Sequence, residues 1–277
     1  MPEALIADTG RDQLGYIADF TAPTPSWIGT SGAGTDQWHA PRAIARTDTG
    51  FVIADSGNHR IVSIDDASGS GWREFGSHGS SKGEFIRPTG VAVDSKGRIY
   101  IADSGNARVV RLDGMDGAGW TAYGTAGTPT PSDPDAEGKF REPAGVAIDF
   151  DDRIWIADRE CSRLVRISSM AGAGWLSVRM NAPVAIGIDE PNSAVLVCAL
   201  GSGNIGRHVG STGAFTEATP IGALFAPAAV QLSGATIFAL DAAQRRIVEI
   251  DDPLQDVKPR VYLADMGARQ PVGMVVW

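Results

Sequence analysis

Six side chains are the first places to look for acid–base, metal or thiol chemistry: His39, His59, His78 and His208, with Cys161 and Cys198. A metal-assisted hydrolase or lyase needs histidines and carboxylates converging on one cation, and often a histidine free to carry a proton. These four histidines stand at unrelated places in the chain, and no H-x-H, H-E-x-x-H or metal-spaced Cys/His cluster occurs. The sequence therefore assigns no catalytic residue, no metal ligand and no cofactor. A site assembled from distant segments stays open. Cys198 ends the apolar run Ala194-Val-Leu-Val-Cys198 and reads as a buried small residue. Cys161 has no neighbouring sign of thiol activation and does not read as a nucleophile.

The charged residues are more regular. An aspartate followed five residues later by an arginine recurs as Asp55/Arg60, Asp103/Arg108, Asp158/Arg163 and Asp241/Arg246. A ring of charged binding groups is one reading. The simpler one is structural, because groups repeated in unit after unit usually maintain the unit. The carboxylate can accept backbone N–H groups in a turn. The arginine stem can cover apolar surface while its head pairs with the aspartate. A tryptophan follows 17 residues after three of the aspartates, each time behind a glycine: Trp72, Trp120 and Trp175. An aromatic ligand platform would need them to converge, whereas equivalent positions in separate units suit packing between neighbours.

These residues belong to a repeat. Arg87-Pro-Thr-Gly-Val-Ala-Val-Asp and Gly97-Arg-Ile-Tyr-Ile-Ala-Asp-Ser-Gly-Asn-Ala-Arg return as Glu142-Pro-Ala-Gly-Val-Ala-Ile-Asp and Arg153-Ile-Trp-Ile-Ala-Asp. The leading prolines are Pro41, Pro88, Pro143, Pro183, Pro227 and Pro271, spaced by 47, 55, 40, 44 and 44 residues. That is the length of a four-stranded propeller blade, about 40–50 residues. In the unit led by Pro88, residues 90–93, 98–102, 108–112 and 119–123 alternate as strands a, b, c and d. Residues 1–38 align without a gap on residues 48–85, so the chain opens at a strand b. It ends on residues 271–277, which match strand a. The expected fold is all-β: one domain over residues 1–277, a six-bladed β-propeller. Its first blade takes strand a from residues 271–277 and strands b to d from residues 3–38, which leaves no sheet edge open.

The repeated phrase Ala-Asp-Ser-Gly-Asn-x-Arg resembles the NHL repeat, most strongly over residues 39–180. The resemblance implies a rigid disc whose d–a and b–c loops meet on one face around a central channel. Function is then sought in residues that break the repeat. The candidates before the prolines are His39, Arg87, Arg141, Glu142, Asn181 and Arg269. The b–c turns add Arg11, Asn58, His59, Asn106, Arg159 and Glu160. The fourth blade is singled out, since Asp-Arg-Glu-Cys-Ser replaces Asp-Ser-Gly-Asn there. An acidic, proline-rich insertion at residues 128–138 reads either as a partner-contacting loop or as a tolerated one.

Composition limits the partners. The net charge of −9 and the lack of any long Lys/Arg run argue against nucleic acid. No apolar stretch is long enough to insert in a membrane, and residues 1–8 do not read as a signal peptide, so the cytoplasm is the expected compartment. The resemblance leaves two functions open. One is a non-enzymatic scaffold that binds a protein partner through the d–a/b–c face, alone or within an oligomer or larger assembly; arginines 11, 87, 141, 159 and 269 would suit an acidic partner there. The other is a metal-dependent lyase or lactonase-like hydrolase with a divalent metal in the channel mouth.

Overall fold

A computed structural model of the chain describes residues 3–20, 24–126, 136–189, 194–199, 204–209, 215–216, 224, 226–233, 236–250, 260–262 and 270–277. It is a six-bladed β-propeller built from six four-stranded sheets in the order a-b-c-d. The innermost a strands are Pro271–Val276 in blade 1, then Pro41–Thr47, Pro88–Val93, Pro143–Ile148, Pro183–Asp189 and Pro227–Ser233 in blades 2 to 6. The b strands, in the same order, are Ala4–Asp8, Gly50–Asp55, Ile99–Asp103, Ile154–Asp158, Ala194–Ala199 and Thr236–Asp241. Among the described residues no helix is long and apolar enough to cross a membrane.

Hydrophobic alternation explains the stacking. Successive side chains of a strand point to opposite faces of its sheet. In blade 3, Ile99 and Ile101 enter the cluster shared with blade 2, while Tyr100 and Ala102 enter the cluster shared with blade 4. Every blade interface carries such a cluster, including blade 6 against blade 1, where Phe238 and Leu240 meet Ile6 and Met274. The core is thus a ring of inter-blade layers around a channel. Each b strand is apolar on both faces because both are covered.

Strand d of blade 3 is Thr121–Tyr123, shorter than the expected 119–123. Gly119 sits at φ 64, and any Cβ there would strike the Asp113 carboxylate, so residues 119 and 120 belong to the c–d turn. The d–a connections also carry short parallel ladders that repeat counting did not anticipate. Thr30–Ser31 pairs with Gln37–Trp38, Ser77–His78 with Glu84–Phe85, and Thr125–Ala126 with Lys139–Phe140. Their last residues, Trp38, Phe85 and Phe140, are fully buried.

The ring closes as an antiparallel pairing of the two chain ends, with Ala4 opposite Val276, Leu5 opposite Val275 and Ile6 opposite Met274. Neighbouring a strands approach closely around the channel, which demands a small residue two positions after each proline. A Cβ on Gly273 would collide with the Arg42 carbonyl, and one on Gly145 with the Val184 carbonyl. Gly273→Val should therefore destabilise the protein by about 1–3 kcal/mol through overpacking at the closing seam. A urea unfolding midpoint equal to the parent's would show that this approach is not constrained.

Candidate binding face at the channel mouth

The d–a/b–c face is organised by the aspartate that ends strand b. Asp8, Asp55, Asp103, Asp158 and Asp241 have no exposed surface. One carboxylate oxygen accepts an N–H from the d–a loop ahead of the blade's own proline. The donors are Gln270 to Asp8 (2.8 Å), His39 to Asp55 (2.8 Å), Ile86 to Asp103 (2.8 Å), Glu142 to Asp158 (3.1 Å) and Ala226 to Asp241 (3.2 Å). In blades 2 to 4 the other oxygen takes the arginine in a hydrogen bond: Arg60 Nε at 2.8 Å from Asp55, Arg108 Nε at 2.8 Å from Asp103, and Arg163 Nε at 3.1 Å from Asp158. Blade 6 keeps the pair at a longer distance. Arg246 Nε stands 3.4 Å from the Asp241 carboxylate, an ion pair without the hydrogen bond that Nε makes in blades 2 to 4. Arg246 thus keeps the pairing with its aspartate that the repeat implies, at a longer Nε distance. Its b–c turn reads Ala-Ala-Gln where blades 2 and 3 have Ser-Gly-Asn, so no asparagine bridges the aspartate there. Bonds to the b–c turn backbone occur at Asp8, from Gly10, and at Asp241, from Gln244. Burial pushes the Asp55 and Asp103 carboxyls above their ordinary range, against the pull of these bonds.

The arginines of blades 2 to 4 reach further. Arg60 also donates to the carbonyls of Ala33, Gly34 and Gln37 in the preceding d–a loop, and Arg108 does the same with Ser80 and Glu84. Their guanidinium groups lie over the tryptophans: Arg60 over Trp72 at 5.3 Å, Arg108 over Trp120 at 5.4 Å and Arg163 over Trp175 at 5.4 Å. Trp72 packs on Trp38, Trp120 on Phe85 and Phe75, and Trp175 on Phe140 and Tyr123. Each tryptophan thus touches the d–a connection leading into its own blade, and Trp120 and Trp175 also touch a ring from the preceding blade.

The loop candidates do not share one role. In blade 4, Arg159 grips the Glu142 carboxylate through Nε (2.9 Å) and a terminal nitrogen (2.6 Å), while Arg141 lies 3.5 Å from Glu160. Arg11 lies over Trp27 at 4.4 Å and 3.8 Å from Asp8. Carboxylates thus lie beside three of the five arginines proposed for this face. Arg269 falls outside the described residues, as do residues 128–135 of the acidic insertion. Asn58 and Asn106 serve the scaffold, each bridging its blade's aspartate to a d–a carbonyl. Asn181 is exposed.

Three of the four histidines are brought together from distant segments, an assembly the sequence left open. His59 and His78 meet edge to face with ring centroids 4.5 Å apart. His39 and Arg87 stand close enough to act on His59 electrically. The b–c turn of blade 2 and the d–a loops on either side bring them together, an adjacency with no trace in their spacing. His59 Nδ1 accepts the Arg87 N–H at 3.0 Å, which requires that nitrogen to be unprotonated. Burial, then the charges of His78, Arg87 and His39, hold the His59 pKa below its ordinary value. Among the described residues no three His, Cys, Asp or Glu side chains are placed to hold a metal ion. Burial and a bond to Asp158 push the Cys161 thiol up to about 12, so its thiolate is disfavoured.

Strand a carries a feature that sequence reading missed altogether. In every blade the residue after the proline is the extra residue of a β-bulge: Val272, Arg42, Thr89, Ala144, Val184 and Ala228. All six line a central channel of about 550 Å³. Bulges re-aim side chains. Only blade 2 places a charge in this ring, and four residues on it places a second, Arg46, where the other blades carry Val93, Ile148, Ile188, Leu232 and Val276. Aligning the units column by column would have exposed both arginines.

An NHL-repeat family model matches residues 85–112, from the end of the d–a ladder to the end of strand c in blade 3. No curated protein sequence matches the chain. Among solved structures, a chain from the crystal structure of a nidogen/laminin complex superposes with TM-score 0.73 at 15% identity, covering 100% of this chain and 98% of that one. A streptogramin B lyase superposes with TM-score 0.67 at 15% identity, covering 99% and 90%. A catalytically inactive virginiamycin B lyase from Staphylococcus aureus with quinupristin gives TM-score 0.60 at 20% identity, covering 86% and 73%. At these identities the likeness reaches the fold alone.

Two outcomes follow from this geometry. Asp103→Ala leaves Arg108 Nε and the Ile86 amide without their acceptor and removes the partly buried guanidinium's counter-charge, and should cost about 3–5 kcal/mol in chemical denaturation with an unchanged slope. His59 should titrate below its ordinary value of 6.5 when followed by NMR. The unfolded chain takes up that proton first, so the stability contributed by neutral His59 is full above about pH 6.5 and declines as pH falls through it. A midpoint at or above 6.5 would contradict the Arg87 bond.

Proposed function

We propose that this NHL-repeat propeller is a recognition scaffold that binds a protein partner through its d–a/b–c face, without chemistry of its own. The observation that carries this reading is how the rim is held. Buried carboxylates fasten the d–a loops by their amides, and rim charges of blade 4 are matched with one another, Arg159 with Glu142 and Arg141 with Glu160. Such a surface is preorganised and polar, which lowers the ordering cost of docking a partner. Among the described residues it does not present an acid and a base held apart in pKa around a common point, as proton-transfer chemistry requires. The fold likeness to a chain crystallised in a nidogen/laminin complex is compatible with a propeller serving as a protein-binding disc.

A lyase-like reading draws on the gathering of His39, His59 and His78 at the mouth and on the two lyases of similar fold. It would need a divalent cation, and the described residues do not fit one. His59 already commits Nδ1 to the Arg87 amide, and no three-ligand group accompanies it.

The test is capture by the immobilised propeller, compared quantitatively with two variants. Arg87→Glu/Arg141→Glu reverses two exposed rim charges, and Lys96→Glu alters an exposed a–b turn on the opposite face. Surface changes of this kind alter stability by about 0.5 kcal/mol or less. A partner retained by the parent and by Lys96→Glu, but lost from the rim variant, supports the proposal. Equal retention by all three proteins rejects it.

A further inference from the structure

The channel itself is a second place where this molecule departs from its repeat. We propose that it is a binding site for a small organic carboxylate with an apolar body, the carboxylate held by Arg42 at the d–a/b–c mouth and the body lying within the channel. This goes beyond the protein-recognition reading and does not rest on it.

Four observations carry the assignment. The channel, of about 550 Å³, lies in the range of small-molecule pockets, roughly 300–1,000 Å³. Its wall is made almost wholly of Ala, Val, Ile, Leu, Met and Gly, with Thr89, Gln231 and the two arginines as the polar exceptions. The surface these residues expose to the channel is shared between polar and apolar atoms, so a ligand there could gain both contact for an apolar part and orientation for a polar head. Arg42 stands on a bulge at the mouth, where its guanidinium can meet a carboxylate with two parallel bonds.

The charge around Arg42 points the same way. Among the described residues no carboxylate lies within ion-pairing distance of it. Glu142, the acid that acts on it from nearby, is gripped by Arg159. Partial burial pushes the Arg42 guanidinium below its ordinary value, and the charges of Arg159 and Arg87 act the same way against that of Glu142, so an anion bound beside Arg42 would relieve this like-charge repulsion. Arg46, roughly 13 Å further along the strand, differs in being packed over the Trp277 ring at 5.4 Å. The head group is therefore assigned to Arg42, and the channel below supplies the apolar part.

The experiment is calorimetric titration with straight-chain probes. Octanoate should bind with one-to-one stoichiometry. Hexanoate, shorter by two methylenes, should bind roughly tenfold more weakly. Octylammonium, with the same chain and opposite charge, should bind at least tenfold more weakly than octanoate. Arg42→Thr installs the residue that blade 3 carries at this position, so the fold should tolerate it; it should lose at least tenfold in octanoate affinity with its unfolding midpoint unchanged. Arg42→Lys should fall between the two. The proposal is overturned by equal binding of octanoate and octylammonium, by unchanged octanoate affinity in Arg42→Thr, or by no heat of binding at millimolar octanoate. Loss of octanoate in Arg46→Val with retention in Arg42→Thr would place the head group at the other mouth and would likewise overturn it.

Discussion

At the end of strand b in five blades, one buried carboxylate serves two masters. Its first oxygen holds an amide of the d–a loop, and its second faces an arginine that begins, or in blade 1 precedes, strand c. That arginine, in blades 2 and 3, reaches carbonyls of the preceding d–a connection, while its flat face lies over a tryptophan of its own blade. Loop, turn and outer strand are thereby tied at one point, above the apolar layers between blades. The arrangement is stable only when complete, because a buried carboxylate or guanidinium deprived of its partner is far costlier than a neutral gap. The tie varies toward the end of the chain. In blade 6 Arg246 Nε stands farther from Asp241 than its counterparts in blades 2 to 4, and in blade 5 the corresponding strand-b residue is Ala199, which carries no carboxylate.

The same logic orders the opposite face at a lower level. Asp94 accepts the amides of Lys96 and Arg98, the Arg98 guanidinium and the Tyr100 hydroxyl, and Asp149 repeats the pattern with Asp151, Arg153 and Trp155. Burial raises the Asp94 pKa, but the bonds from Arg98 and Lys96 outweigh it, and the carboxyl rests below its ordinary value. Two faces of one disc are thus closed by aspartates of different electrostatic character. Asp94 is tuned toward ionisation, whereas Asp55 and Asp103 bear the larger desolvation penalty.

With the scaffold held this way, specialisation is confined to residues that leave the ties intact. Blade 4 changes the b–c turn from Ser-Gly-Asn to Arg-Glu-Cys and answers the new charges with Glu142 and Arg141 across the d–a loop. Blade 2 changes the channel wall, replacing small or apolar residues by Arg42 and Arg46 without touching Asp55 or Arg60. Both departures lie where a side chain meets open space, and there a propeller can vary without losing inter-blade packing.

The fold was legible in the sequence because it rests on local and periodic facts. Proline spacing set the blade count, alternation set the strands, and the match of residues 1–38 to 48–85 set the closure. The partners of each aspartate were legible only in part. The arginine five residues on was visible, but the spacing is the same in blades 2 and 6 and does not separate the close bond of Arg60 from the looser contact of Arg246. The bond to an amide some 16 residues earlier crosses the sheet and depends on how the d–a loop returns. The gathering of His39, His59 and His78, the pairing of Arg159 with Glu142, and the aim of Arg42 into the channel were decided by tertiary structure alone. Each joins segments that meet only when blades are packed around an axis. The bulge that turns Arg42 inward follows from the strand register, which no spacing of residue types reveals.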